Sequence, residues 1–191
     1  MVARALEAEF FGRSSVLVAP DLLGCLLLAG TGEALVVVRI DETEAYTADD
    51  PASHSFRGPT KRNEVMFGPP GYLYVYFTYG MHWCANVVTG DEGTGEAVLL
   101  RGGVIESGLD LARFRRRTRA GVAVHDRDLT NGPAKLAQAA AIDGSHNGLR
   151  LDASSVVLLA DDGASRPKFV RTPRIGISVA VDRPWRFLVQ R

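Results

Sequence analysis

The feature that most constrains the fold is the β-rich segment YLYVYFTYGMHWCANVV at residues 72–88. Aromatic and β-branched residues dominate Tyr72–Tyr79 and again His82–Val88, and Gly80-Met81 between them is typical of a turn. The segment therefore predicts a β-hairpin, and hence an antiparallel sheet. Because side chains alternate along a strand, the tyrosines of the first strand share one face.

The remaining elements do not alternate regularly between strand and helix, which favours the α+β class over a doubly wound sheet. Further strands are predicted at Leu35–Ile40 continuing through Ala45, Ala97–Leu100, Val156–Ala160, Arg174–Val179 and Arg186–Val189. Helices are predicted over residues 1–12, from about Pro20, over Ser107–Arg117 with Ser107 as the cap, and over Pro133–Ile142. Residues 47–71 and 161–172 are predicted loops, the first of them long, which is typical of a functional segment, and holding one short helix.

Length and composition predict one globular domain over residues 1–191. The chain is 46% hydrophobic and 23% charged, with a formal net charge of zero, so any surface for nucleic acid must be local. Two basic clusters qualify: Arg57-Lys61-Arg62 and the run Arg113–Arg119. Cys25 and Cys84 have no metal-ligand spacing and are interpreted as reduced core residues. With no secretory signal or bilayer-length apolar run, we expect a cytoplasmic monomer (nucleoid-associated if bacterial) with no membrane partner.

An acidic segment, DETEAY at residues 41–46, extends the apolar strand into the long loop. In an extended strand Glu42, Glu44 and Tyr46 share one face. A solvated strand edge is one interpretation of this pattern. The other is catalytic: a carboxylate held near apolar rings can act as a general base for water, and Glu44 is the candidate.

His54, in the long loop, is open to three interpretations: a metal ligand, a base or a stacking partner. A metal site would recruit Asp49, Asp50 and His54, but the D-D-x-x-x-H spacing matches no strong zinc or calcium pattern. We therefore expect neither a metal nor a cofactor.

The predicted hairpin tip carries Tyr79 and Met81. A bulky aromatic beside a turn is expected to be exposed, and an exposed aromatic with methionine suits a wedge that enters a base stack. Asn86, on the returning strand, lies where asparagine is uncommon and is a candidate reader of a base edge. Arg101, at the end of an apolar strand, is either a solvated end or a clamp for phosphate or carboxylate. Lys135 lies at a predicted helix start, a place where phosphate can bind.

Five motifs, in order along the chain, together resemble the alkyladenine (3-methyladenine) DNA glycosylase family of the vertebrate type. The motifs are ETEAY (42–46), ASHSFRG (52–58), RNEVMFGPPGYLYVYFTYGMHWCAN (62–86), AVLLR (97–101) and LTNGPAKLAQAAAI (129–142). The resemblance implies one mixed α/β domain, with a curved antiparallel sheet, surrounding helices and a protruding hairpin. It also implies a monofunctional enzyme that removes damaged purines from duplex DNA.

The same resemblance implies a role for each matching position. Glu44 matches the general base that activates water, and Arg101 a residue near that water and the DNA backbone. The walls that stack a flipped base are matched by Tyr46, His54 and Tyr76. Asn86 matches the side chain that excludes the amino group of guanine. DNA contacts are assigned to Tyr79, which fills the vacated stack, and to Met81, Arg57, Lys61, Arg62 and Lys135.

Two positions depart from the family pattern: Lys61 stands at a proline position, and His82 where an aromatic is frequent beside the tip. Three other functions remain open. The pocket could recognise damage without cutting, or it could serve an enzyme acting on a free nucleotide or on RNA. The third is a metal-dependent hydrolase built on Asp49, Asp50 and His54.

Overall fold

The computed structural model describes residues 3–117, 121–152, 154–161, 163 and 165–190. Strands and helices mix along this part of the chain, as the α+β prediction requires. The strands are β1 (Ala3–Ala5), β2 (Leu26–Ala29), β3 (Val36–Tyr46), β4 (Leu73–Thr78), β5 (His82–Thr89), β6 (Glu96–Ser107), β7 (Val156–Asp161), β8 (Phe169–Thr172) and β9 (Arg186–Val189). The α-helices are α1 (Ala8–Phe11), α2 (Ser15–Asp21), α3 (Leu109–Arg116) and α4 (Pro133–Ala140).

All strand pairs among the described residues are antiparallel, and they form one sheet in the order β1-β7-β2-β3-β6-β5-β4. Strand β9 pairs with the second half of β3 and with β8. The second half of β3 is therefore enclosed between β6 and β9 in the middle of the sheet. The predicted fold class and the hairpin β4–β5 are confirmed.

An irregularity in β3 decides which of its side chains reach the core. The register with β6 shifts between Ile40 and Thr43. Before the shift the even-numbered Val38 and Ile40 lie in the hydrophobic core, and after it the odd-numbered Ala45 does. Thr43, beyond the same shift, donates from its hydroxyl to the carbonyl of Ala19 in α2 at 2.9 Å. The shift thus turns the even-numbered acidic side chains to the opposite face, as β-bulges do near functional sites.

The core fills the space between the sheet and the helices. Helix α2 packs against β3, and α4 packs against β5 and β6. Both cysteines are free thiols and buried, as the sequence predicts. Among the residues that the structure describes, no helix combines the length and apolar character needed to cross a membrane.

Two N-terminal predictions were wrong. Residues 1–12 do not form one helix, because Ala3–Ala5 pairs with β7 as a strand before α1 begins. The next helix does not begin at Pro20, which lies near its end. Its beginning is fixed instead by Glu96 of β6, whose carboxylate accepts from the Ser15 amide at 2.8 Å. Such tertiary capping by an acidic group is invisible in local sequence.

Three predictions about later elements were also wrong. The strand predicted at residues 97–100 is confirmed as part of the longer β6, but Ser107 ends that strand and does not cap α3, whose cap is Gly108 with φ of 80°. Residues 174–179 are not a strand but an irregular segment, and β8 lies within the predicted loop at 161–172. Of the basic run Arg113–Arg119, Arg119 lies outside the described residues.

Candidate active site

A pocket of about 350 Å³ opens between the hairpin, the long loop after β3 and the segment after β8. Half of the twelve candidate site residues named from the sequence line it, although they come from four separate parts of the chain. These are Tyr46, His54, Tyr76, Tyr79, Asn86 and Arg101. Glu44 lies directly behind this lining.

One wall of the pocket is aromatic. The rings of His54 and Tyr76 meet edge to face with centroids 4.6 Å apart, and Tyr74 stacks on Tyr76 at 5.6 Å. His54 Nδ1 lies 3.0 Å from the Tyr74 hydroxyl, which fixes the imidazole in the loop against the strand. Tyr46 lines the same pocket from β3.

This wall is uncharged near neutral pH. Partial burial beside the tyrosines, with a smaller contribution from Arg62, lowers the pKa of His54 below its usual range. Burial raises the pKa of Tyr74 to about 12. Burial, and to a smaller extent the negative charge of Glu44, also raises the pKa of Tyr46. The pocket therefore presents neutral rings, whose π faces attract cations.

Glu44 is fully buried, with 0% of its surface exposed. Its Oε2 accepts from the Tyr46 hydroxyl at 2.8 Å, and its Oε1 accepts from the backbone N–H of Ile175 at 2.8 Å. Arg101 Nη1 lies 3.4 Å from Oε2. Solvation at a strand edge is thus excluded for Glu44, whose carboxylate is held by fixed donors. A carboxylate has about four acceptor positions, so these contacts leave one acceptor position of Glu44 unused.

Arg101 links Glu44 to a second buried carboxylate. Its Nε donates to Glu42 Oε1 at 2.7 Å, and Arg186 Nε donates to the same oxygen at 2.6 Å. Burial alone raises the pKa of Glu42, but the hydrogen bonds from Arg186 and Arg101 outweigh it and lower that pKa. For Arg101, burial lowers the pKa, but the negative charges of Glu44 and Glu42 outweigh burial and raise the pKa above its usual value. Arg101 is therefore a carboxylate clamp rather than a solvated strand end.

Asn86 lies in β5 directly opposite Tyr74 of β4 and is buried. Its Nδ2 donates to the Tyr74 carbonyl at 3.2 Å. The hairpin therefore fixes the side-chain amide where it lines the pocket.

The hairpin tip forms part of the pocket rim. Tyr79 is 83% exposed and Met81 is 67% exposed, as predicted for the turn. Tyr79 has a positive φ of 51°, an uncommon conformation for a bulky residue, and Gly80 follows with φ of 66°. The ring of Tyr79 thus projects beside the pocket with little to pack against in the protein.

The predicted DNA-contacting cations do not line the pocket. Arg57 and Lys61 are exposed in the loop. Arg62 donates to the Phe77 carbonyl at 3.2 Å and lies 5.9 Å from the centre of the Tyr76 ring, so it also fastens the loop to the hairpin. Lys135 donates to Asn131 Oδ1 at 2.7 Å in the first turn of α4.

The three residues of the hypothetical metal site are not brought together. Asp50 is buried in an ion pair with Arg174. Asp49 instead accepts a hydrogen bond from the Thr47 hydroxyl and lies 3.5 Å from Arg183. Across the part of the chain that the structure describes, no group of three potential metal-ligating side chains occurs. The metal-hydrolase interpretation of these residues was wrong.

Sequence reasoning missed the segment after β8. Ile175, Gly176 and Ile177 line the pocket, and Ile175 supplies an N–H to Glu44. These residues were predicted to lie in a strand, and the only local signals against a regular strand are the flanking Pro173 and the internal Gly176.

Known proteins resemble this chain over almost its whole length. A family model described as Methylpurine-DNA glycosylase (MPG) matches residues 9–191. A protein of Carboxydothermus hydrogenoformans named "Putative 3-methyladenine DNA glycosylase" is 45% identical over 97% of this chain and 95% of its own length. Proteins with the same name from Rhodopseudomonas palustris strain BisB18 and Leifsonia xyli subsp. xyli are 50% and 48% identical. They cover 95% and 94% of this chain, and 86% and 85% of their own lengths.

Proposed function

Because this chain belongs to the methylpurine-DNA glycosylase family, and is thus a DNA-repair enzyme that hydrolyses N-glycosyl bonds, we propose that it excises alkylated and otherwise damaged purines from duplex DNA. The substrates are 3-methyladenine, 7-methylguanine and related cationic bases, and in a second group the neutral hypoxanthine and ethenoadenine. The whole chain acts as one glycosylase domain, as a monomer.

Access to the base requires flipping, because the reacting bond lies inside the duplex. Removing a base from the stack costs a few kcal/mol, and a damaged base with weakened pairing flips more readily. Tyr79 offsets part of this cost by occupying the gap, with Met81 beside it. Exposure of both side chains at the rim supports this role. A free nucleotide offers no stack to fill, so the tip argues for duplex DNA.

The flipped base stacks between the wall formed by His54 and Tyr76 and the ring of Tyr46. These neutral rings favour an alkylated, positively charged purine by cation–π attraction of about 0.5–2 kcal/mol. The lowered pKa of His54 matters here, because an imidazolium in the wall would repel such a base.

Asn86 discriminates against normal guanine. Its amide is buried and fixed by the Tyr74 carbonyl, so it cannot easily move away from an exocyclic amino group. A guanine entering the pocket meets both a steric clash and an unpaired polar contact.

Glu44 is the general base for the hydrolysis. A water on its carboxylate loses a proton to Glu44 while the water oxygen bonds to C1′ of the deoxyribose, and the bond from C1′ to the purine nitrogen breaks. An N-alkylated purine leaves as a neutral base, so one carboxylate suffices, and the carboxylate also stabilises positive charge on the sugar. Hypoxanthine needs a proton on the leaving group as well. Of the three lysines, Lys61, Lys135 and Lys168, none lines the pocket, which supports water as the nucleophile.

The observation that carries the proposal is the position of Glu44. Its carboxylate is fixed by donors from Tyr46, Ile175 and Arg101, directly behind a pocket with an aromatic wall. Outside the pocket, Arg57, Lys61, Arg62 and Lys135 hold the phosphates of the duplex.

The test is single-turnover base release from three matched duplexes that carry a methylated purine, hypoxanthine or no damage. We expect free base from the damaged duplexes alone, fastest for the methylated purine, with an abasic strand and no adduct trapped by borohydride. A trapped adduct would contradict the role of water. Tight binding of the damaged duplexes without release would instead identify a damage-binding protein.

A further inference from the structure

One buried ion pair has no part in the function proposed above. Asp50 and Arg174 are both fully buried at their side chains. The pair is bidentate: Arg174 Nη1 donates to Asp50 Oδ2, and Nη2 donates to Oδ1 at 3.1 Å. It joins the long loop after β3 to the segment after β8.

The same guanidinium makes contacts with three further parts of the chain. Nη1 also donates to the Ala45 carbonyl at 3.0 Å, and Nη2 to the Ala180 carbonyl at 3.4 Å. The guanidinium carbon lies 4.7 Å from the centre of the Tyr46 ring and 5.4 Å from that of Trp185. Arg174 is therefore the point at which the end of β3, the loop and the pocket-lining segment are held together.

Two of the hydrogen bonds to Glu44 come from groups that Arg174 holds. One donor is the hydroxyl of Tyr46, whose ring the guanidinium contacts, and the other is the N–H of Ile175, the next residue in the chain. We propose that Arg174, anchored by Asp50, is a positioning residue that sets the orientation of the Glu44 carboxylate. This inference rests on the proposed function of Glu44 as the base.

The free-energy cost of burying two charges indicates that Asp50 and Arg174 position the site rather than stabilise the fold. A buried ion pair contributes little net stability compared with apolar residues of similar volume, because both charges lose their hydration. Arg174 Nε, moreover, is buried with no hydrogen-bond partner among the described residues, which adds to the desolvation cost of the pair. What the pair does supply is the rigid fork of a guanidinium, which fixes several acceptors at once.

A double substitution separates positioning from folding. Arg174→Met alone leaves Asp50 buried and unpaired and so lowers stability, whereas Arg174→Met with Asp50→Asn removes both charges. We expect the double variant to keep a thermal midpoint near that of the wild type and to bind a methylated duplex within about threefold. Its single-turnover rate constant should fall about 30- to 100-fold, since a small misplacement of a catalytic group has effects near 10²-fold. Arg174→Lys, which keeps the charge without the fork, should give an intermediate rate.

Arg183→Met is the matched control. Arg183 lies over the same Trp185 ring, at 4.7 Å, but among the described residues it forms no hydrogen bond, ion pair or ring contact with Tyr46 or Ile175. Its rate constant should stay within about twofold of the wild type.

The wild type and Glu44→Gln are run in the same assay. Release by the wild type together with a wild-type rate in the folded double variant would overturn the positioning role and leave the proposed function intact. Absence of release by the wild type would overturn both.

Discussion

The floor and the rim of the pocket are built in opposite ways. The pocket floor, defined as Arg101 and the two carboxylates that it binds behind the lining (Glu42 and Glu44), is buried in the middle of the sheet, and each of its charges has a partner at 2.6–3.4 Å. The pocket rim (Tyr79, Met81, Arg57 and Lys61) is exposed on a turn and a loop. Tyr79 has 83% of its surface free, whereas Glu44 has none.

This difference separates two tasks. Groups that stabilise a transition state act best when they are preorganised in a dry site, which the floor provides through fixed donors. Groups that engage a large partner need surface that the protein itself does not use, which the rim provides. Floor substitutions should therefore change stability and rate, and rim substitutions should change binding.

The largest expected difference between floor and rim substitutions is in the stability of the folded protein. Arg101→Met leaves Glu44 buried without its cation and should lower the free energy of unfolding by about 3 kcal/mol, the lower end of the usual range because Glu42 keeps Arg186. Urea unfolding followed by fluorescence measures this change. Arg57→Met, at the rim, should stay within about 0.5 kcal/mol of the wild type. Equal effects of the two substitutions would contradict the division into floor and rim.

Tyr79→Ser tests the rim. The substitution should weaken binding to a methylated duplex by roughly tenfold or more, since stacking of one aromatic with a base contributes ~1–3 kcal/mol. The thermal midpoint should not move, because the ring is exposed. Fluorescence anisotropy gives the affinity. Phe114→Ser is the control, as Phe114 is also exposed, on α3, but does not line the pocket. A similar loss with this variant would count against a role for the tip.

Asn86→Ala tests base discrimination by a residue that lies between the floor and the rim. Without the fixed amide, guanine should enter more easily, and the preference for hypoxanthine over guanine should fall at least about tenfold, the effect of losing one contact of roughly 1–3 kcal/mol. The ratio of single-turnover rates on the two duplexes measures it. Asn131→Ala, outside the pocket, should leave the ratio unchanged. A preserved ratio in Asn86→Ala would remove Asn86 from discrimination.

The smallest effect concerns pH. Because the folded protein lowers the pKa of His54, the unfolded chain binds its proton more readily, and the contribution to stability is present above the usual histidine pKa near 6.5. That contribution should be lost as the pH falls from 6.5 through the lower folded pKa. Urea unfolding at several pH values should show a shallower acid-side loss for His54→Gln than for the wild type. A slope for His54→Gln equal to that of the wild type would contradict the assignment.

Sequence patterns predicted more of the rim than of the floor. The hairpin and its exposed tip follow from local signals, the aromatic run and the Gly80-Met81 turn. Alternation along β3 also placed Glu44 and Tyr46 on one face. Burial of Glu44 was not visible, because it depends on the bulge near Asp41 and on β9 pairing with β3 from the far end of the chain.

Arg174 shows why the rest of the site could not be predicted. Its partner Asp50 is more than a hundred residues away in the chain, and nothing in the local pattern around either residue indicates the pair. Ile175 acts through its backbone N–H, a group that every residue except proline possesses. Glu96 at the start of α2 is a third case, since a strand residue caps a distant helix.

The most direct test of the floor is Glu44→Gln, which keeps the shape of the side chain and removes its basicity. Single-turnover release from a methylated duplex, measured beside the affinity for that duplex, separates chemistry from binding. We expect the rate constant to fall by about 10²–10⁴-fold while the affinity stays within about threefold of the wild type. A rate constant close to the wild-type value, or a loss of affinity as large as the loss of rate, would contradict the account.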